Sequence, residues 1–177
     1  MCPTLPRFGE GWDLDRCGLL LTRDRHQLLK AWIAAILWLI VIAIESTAYL
    51  SSDNTSHILY PLLHFLFGVS HATFDPIHFY LRKSGHVFGY GLLSILLFRA
   101  WRETLPALGN PRWTLRWANI AVLGTALVTS PDERHQSYIP SRTGSVQDVI
   151  LDTFAGLGAQ VLLLFWFSLR ARGRRGI

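Results

Sequence analysis

Four apolar stretches divide the chain, separated by segments dense in polar and charged residues. Ala31 to Leu50 is interrupted by one charge, Glu45, and its roughly 20 residues suffice to cross a hydrocarbon core about 30 Å thick. Val149 to Leu169 is as long and carries one acid, Asp152. Between them lie Val87 to Phe98, extending through Trp101, and Trp117 to Pro131, each worth roughly 22 Å of helix. Period-two alternation is missing, so none of these reads as a strand of an outer-membrane barrel. The first 30 residues are polar and the first apolar run is too long for an h-region, so no cleavable signal peptide is expected. The pattern predicts an all-α polytopic membrane protein, a four-span helical bundle with short extracytoplasmic helices. Residues 1–30 form an N-terminal segment, 31–169 the membrane domain and 170–177 a basic tail.

The segments between the spans differ in character. Residues 51–85 are semi-apolar, and the run from Ser56 to Phe67 suggests a helix lying along the outer interface. Asp75-Pro76 reads as an N-cap followed by proline at the first helical position, opening the helix that becomes the second span. Residues 132–147 form a short, polar second outward loop.

Composition narrows the class and charge sets the orientation. Half of the 177 residues are hydrophobic and 16% are charged, against about a quarter in an ordinary soluble domain. Cys2 and Cys17 cannot build a disulfide framework and lack the neighbours of a zinc site. These numbers argue against a secreted mini-protein, a disordered tail and a basic nucleic-acid module. The net charge of +5 is unevenly spread. Arg7, Arg16, Arg23, Arg25 and Lys30 precede the first span; Arg99, Arg102, Arg112 and Arg116 lie between the second and third; Arg170, Arg172, Arg174 and Arg175 follow the fourth. These are 13 of the 17 Lys and Arg residues. The positive-inside rule then places both termini in the cytoplasm and residues 51–85 and 132–147 outside. Trp32, Trp101, Trp113, Trp117 and Trp166 fall near the inner interface, as an aromatic belt would. The arginine-rich tail reads as an anchor to an anionic leaflet.

Polar residues recur at helical spacing at the outer end of every span. Lys83, His86 and Tyr90 share one face of the second. Asp132 and Glu133 lie one turn from Gln136. Asp148 and Asp152 are four apart, and Gly156 and Gln160 continue their stripe inward; Glu45 and Tyr49 form a similar pair on the first span. Charges in a membrane usually face the interior, a partner or a water-filled cavity, so a recessed polar pocket is expected. Plainer roles exist for several of these residues. Ser130-Pro131-Asp132-Glu133 and Ser145-Val146-Gln147-Asp148 both fit a capping box. Lys83 can snorkel, and Asp152 and Gln160 can act as hydrogen-bond glue between helices lined by Gly85, Gly89, Gly156 and Ala159. His57, His64, His71 and His78 read as interfacial residues. A divalent-metal set of His86, Glu133, His135 and Asp148 is conceivable, but no compact ligand motif is present, so neither metal nor cofactor is expected.

Taken in order, Lys83-Ser84-Gly85-His86, Tyr90-Gly91-Leu92-Leu93, Asp132-Glu133-Arg134-His135-Gln136, Pro140-Ser141-Arg142-Thr143-Gly144-Ser145, Asp148-Val149-Ile150-Leu151-Asp152 and Ala155-Gly156 resemble the VanZ-like membrane protein family. Tyr49-Leu50-Ser51-Ser52 is similar to that family's Ser-Ser element, and the resemblance covers roughly residues 35–165. The chain departs at Asp152, where the family more often has Asn. The resemblance implies a helical bundle in the cytoplasmic membrane. The member that names the family is linked to reduced susceptibility to the glycopeptide teicoplanin, while most members are unlinked to resistance genes. The motif positions carried over are Lys83, His86, Tyr90, Asp132, Glu133, Gln136, Arg142, Asp148 and Asp152.

Three function classes follow. In an enzyme acting on a lipid or lipid-linked envelope precursor, Arg142 and Lys83 would hold a phosphate, Glu133 would be the general base and His86 the acid. A non-catalytic binder of a head group or cell-wall intermediate would use the same pocket, with Tyr90, Asp132, Gln136, Asp148 and Asp152 as contacts. In a structural or partner-binding protein the polar cluster would only lock the helices together; whichever class applies, a second copy of the chain is a candidate partner, as a homo-oligomer. No nucleic-acid partner is expected.

Overall fold

The computed structural model describes residues 14–47, 52–105, 112–138 and 144–173. Five α-helices make up these segments, and no strand occurs among the described residues: α1 (Leu14–Glu45), α2 (Ser52–Phe67), α3 (His71–Thr104), α4 (Leu115–Gln136) and α5 (Val146–Gly173). Two helical segments, Arg25–Glu45 in α1 and Val146–Arg172 in α5, are long and apolar enough to cross a membrane. α3 and α4 are long as well, α4 running about 33 Å at 1.5 Å per residue. Their apolar character is diluted by the polar side chains they bring into the bundle.

α3 is the central element, packing against α1, α4 and α5, while α4 and α5 also pack on each other. An apolar cluster of Ala35, Ile42, Leu93, Leu97, Phe98, Trp117, Ala118 and Ala121 fills the middle. Trp117, expected in the interfacial belt, is instead buried against Phe98 with ring centroids 5.9 Å apart. Its position on the α4 face that meets α3 turns it inward. Trp32 and Trp101 do meet, edge to face at 5.3 Å, and Trp166 stays half exposed beneath the Arg170 guanidinium. The outer surface is strongly apolar: Phe88, Leu127, Leu162 and Phe165 are among many large exposed hydrophobics, whereas Thr125, Thr129, Glu133, Asp152 and Gln160 are buried. A water-soluble domain places these classes the other way round.

Two boundaries differ from those read in the sequence. The semi-apolar run is indeed a helix, α2, but the helix expected to open at Pro76 begins earlier and runs without a break through the second apolar stretch. α3 therefore starts at His71 behind Ser70, and Pro76 lies inside it. A proline that close to the start removes one backbone donor without stopping the helix. Gly68, with φ of +67°, makes the left-handed turn between α2 and α3. α4 likewise runs through Pro131 to Gln136. Ser130 lies within it and donates to the Ala126 carbonyl, so it caps nothing. The scattered histidines tie α2 to α3: His71 stacks on Tyr60 at 3.7 Å, and His78 is buried and hydrogen-bonded to Thr55 at 3.2 Å.

The glycines divide into two kinds. A Cβ at Gly156 would meet Thr125 Cγ2 at 3.2 Å and Ser94 Cβ at 3.4 Å, so this residue permits close packing of α5 on α3 and α4. Gly85 and Gly89, expected to do the same, have nothing within 4 Å of such an atom. They border open space. Gly156→Val is therefore expected to lower stability by about 1–3 kcal/mol, whereas Gly85→Ala raises it by up to about 1 kcal/mol through helix propensity. Thermal unfolding of the two variants in detergent checks the opposite signs.

Candidate functional site

The polar stripe of α5 faces that of α3 as a ladder. Lys83 pairs with Asp148. His86 Nδ1 lies 3.2 Å from Asp152 Oδ2. Deeper in, Ser94 Oγ donates to the Gly156 carbonyl at 3.0 Å, and Gln160 Nε2 donates to Ser94 Oγ at 2.8 Å and to the Ser94 carbonyl at 3.0 Å. The spacing of four on α5 repeats each contact one turn further along, as the pattern Asp148, Asp152, Gly156, Gln160 requires.

α4 closes the arrangement from the third side. Thr129 Oγ1 donates to Asp152 Oδ2 at 2.9 Å. Glu133 Oε1 is 3.9 Å from His86 Nδ1, and Glu133 Oε2 accepts the backbone N–H of Ser145 at 3.1 Å. That last bond alters the expected cap. Ser145 does cap α5, its Oγ accepting from the Gln147 N–H at 3.1 Å. The carboxylate that takes Ser145's own N–H comes from Glu133 on α4, which leaves Asp148 for Lys83. Gly144 makes the approach possible: a Cβ there would sit 2.1 Å from the Glu133 carbonyl oxygen and 2.7 Å from Ser137 N.

Asp132, next along α4, turns to the other side. Its Oδ2 accepts from Tyr90 Oη at 2.6 Å and from Gln136 Nε2 at 3.0 Å. These three residues border a cavity of about 250 Å³ between α1, α3 and α4, whose wall also includes Glu45, Ser46, Thr55, Arg82, Gly85, His86 and Gly89. Trp38 Nε1 donates to the Gly89 carbonyl at 2.8 Å and holds α1 against this wall. His86 belongs to both halves, bordering the cavity and facing Asp152 and Glu133.

Eight of the nine site residues chosen from the sequence are thus gathered at one end of the bundle; Arg142 lies outside the described residues, as does Tyr49. They fall into two groups. Tyr90, Asp132 and Gln136 line the cavity with His86, while Lys83, Glu133, Asp148 and Asp152 do not. His135 is exposed. Arg82, Ser94, Thr125 and Thr129 were not singled out in the sequence. The α4 residues had a usable signal, since Thr125, Thr129, Asp132 and Gln136 recur at three- and four-residue steps on one face.

A helical bundle that is apolar outside and carries acids within is the arrangement of an integral membrane protein. A family model described as VanZ/LLP1 matches residues 31–168, and the chain belongs to this family. Comparison with curated proteins yields no match, and neither does comparison with solved structures.

Gly144→Ala is expected to push Ser145 off Glu133 and cost about 1–3 kcal/mol, whereas Gly158→Ala, at an exposed helical position with nothing within 4 Å of the added atom, should not lower the melting temperature. Detergent-solubilised thermal unfolding distinguishes them.

Proposed function

We propose that this VanZ-like protein binds the polar head group of a lipid or lipid-linked envelope precursor in the cavity at the Glu45 end of the bundle. The observation that carries the reading is the mixed-charge wall, with Arg82 supplying a guanidinium and Glu45 and Asp132 supplying carboxylates. A guanidinium fork suits phosphate oxygens, and carboxylates suit an ammonium or sugar hydroxyls. The apolar exterior of the bundle keeps such a ligand's acyl or prenyl chain in lipid while its head group enters the cavity.

The same reading makes α1, α3, α4 and α5 four spans of the cytoplasmic membrane, with both termini inside and the cavity opening outward. The basic residues flanking the spans support this orientation. Binding without chemistry is favoured over catalysis because Glu133, the residue suited to act as base, is buried and engaged by Ser145 and does not line the cavity. Sequestering or presenting an envelope precursor at the outer leaflet would alter susceptibility to a glycopeptide such as teicoplanin. The structural alternative draws on the ladder between α3 and α5, which cross-links helices without needing a ligand.

Native extraction in polymer discs followed by lipid mass spectrometry tests the proposal. Wild-type protein should carry a lipid that Arg82→Ala loses at least about tenfold, the cost of one charge-assisted contact. An identical lipid complement in both would favour the structural role. A new lipid in whole membranes that disappears with Glu133→Gln would make the protein an enzyme. A C-terminal fluorescent-protein fusion should be bright and an alkaline phosphatase fusion inactive if the tail is cytoplasmic.

A further inference from the structure

The ladder contains an electrostatic imbalance that the head-group reading does not use. Glu133 and Asp152 are both buried, 3% and 0% exposed, and they converge on one imidazole, that of His86. Lys83, the nearest cation of the ladder, is taken by Asp148. Each buried carboxylate has one oxygen held by a protein donor: Ser145 N–H on Glu133 Oε2, and Thr129 Oγ1 on Asp152 Oδ2. The other oxygen of each, Glu133 Oε1 and Asp152 Oδ1, is buried with no hydrogen-bond partner. Leaving such an atom unsatisfied in a dry interior costs kilocalories, and two carboxylates sharing one histidine leave net negative charge uncompensated.

A bound cation would balance this negative charge and give the unpaired Glu133 Oε1 a partner, with Asp152 meeting it through either oxygen, Oδ2 being the one nearest the imidazole. Ligand atoms of His86, Glu133 and Asp152 lie within 4.8 Å of one another. Donors about 2.1 Å from a tetrahedral ion are separated by roughly 3.4 Å. The distances from His86 Nδ1, 3.2 Å to Asp152 Oδ2 and 3.9 Å to Glu133 Oε1, bracket that value. The outer contacts also fit, since metal-binding carboxylates are commonly oriented by hydrogen bonds of this kind.

We propose that His86, Glu133 and Asp152 form a site for one divalent transition-metal ion, held between α3, α4 and α5. An imidazole with two carboxylates suits Zn²⁺ or Mn²⁺; the nitrogen donor disfavours Mg²⁺ and Ca²⁺, which prefer oxygen. Three protein ligands leave coordination positions for water or another group, as in sites that do more than brace a fold. The ligand set differs from the one conceivable in the sequence, with Asp152 taking the place of His135 and Asp148. Because its donors come from three helices, no local motif announces it.

The test uses the full-length protein in detergent, stripped with a chelator and then titrated separately with ZnCl₂, MnCl₂ and MgCl₂. Wild type should bind one equivalent of Zn²⁺ or Mn²⁺ by elemental analysis after desalting, gain thermal stability with metal concentration, and prefer both ions to Mg²⁺ by at least about tenfold. His86→Ala and Asp152→Asn should each weaken binding by at least about tenfold, while Asp148→Asn retains the equivalent. Melting temperatures in chelator show whether each variant is folded. If Asp152→Asn fails to fold, Co²⁺ replaces Zn²⁺ in the wild type, and its visible absorption reports whether a nitrogen–oxygen site is occupied. Less than a tenth of an equivalent in the wild type, binding indifferent to His86→Ala and Asp152→Asn, or an equal response to Mg²⁺ would each overturn the proposal. Lipid co-purification with wild type and Arg82→Ala reads the cavity separately, so the two ideas can fail independently.

Discussion

Everything at the functional end of this bundle depends on how Asp152 is held. The residue is fully buried in a helix packed on two others, within an assembly whose outer surface is apolar. In such surroundings there is no bulk water to solvate a carboxylate, so its partners must come from the protein or from something the protein binds. Thr129 and His86 meet part of that requirement, one from α4 and one from α3. Gly156, one turn further along α5, lets the helices approach closely enough for these short contacts. The helix junction and its chemistry are therefore one arrangement.

The same economy governs the entry to α5. A helix start leaves backbone donors unmet, and here a carboxylate from a neighbouring helix meets one of them. Glu133 thereby fastens the end of α4 to the beginning of α5, and Gly144 keeps the two backbones close enough for this to happen. On the other side of α4, Asp132 gathers Tyr90 and Gln136 and faces the cavity. Two adjacent acids, about 100° apart around one helix, thus join the buried ladder to an accessible chamber, with His86 at the boundary.

Much of this could be read in the chain. The stripe Asp148, Asp152, Gly156, Gln160 and the face Lys83, His86, Tyr90 are helical periodicities, and they do meet. The two long apolar runs lie in α1 and α5. What escaped were features fixed by tertiary contact. Pro76 and Pro131 look like helix boundaries because proline lacks a donor, yet both lie inside continuous helices; the lost bonds cost less than breaking the packing of α3 and α4. Gly85 and Gly89 look like packing residues because small size is all a sequence displays, while what they face is a cavity. Arg82 was passed over because it was counted only among the basic residues of the outward segment, although it stands four residues before His86 on the same helix.

The long separations inside the ladder bear on the order in which the protein is made. α1 packs on α3, so these two can associate as soon as both have left the ribosome. His86 must wait for partners 47 and 66 residues further along the chain, at Glu133 and Asp152. Until α5 arrives, α4 carries a glutamate whose backbone partner does not yet exist, which in the four-span arrangement proposed above is a poor state for a helix in hydrocarbon. Insertion of α4 and α5 as a hairpin avoids that exposure. A ribosome stalled between them should leave a nascent chain that membrane quality control recognises and removes.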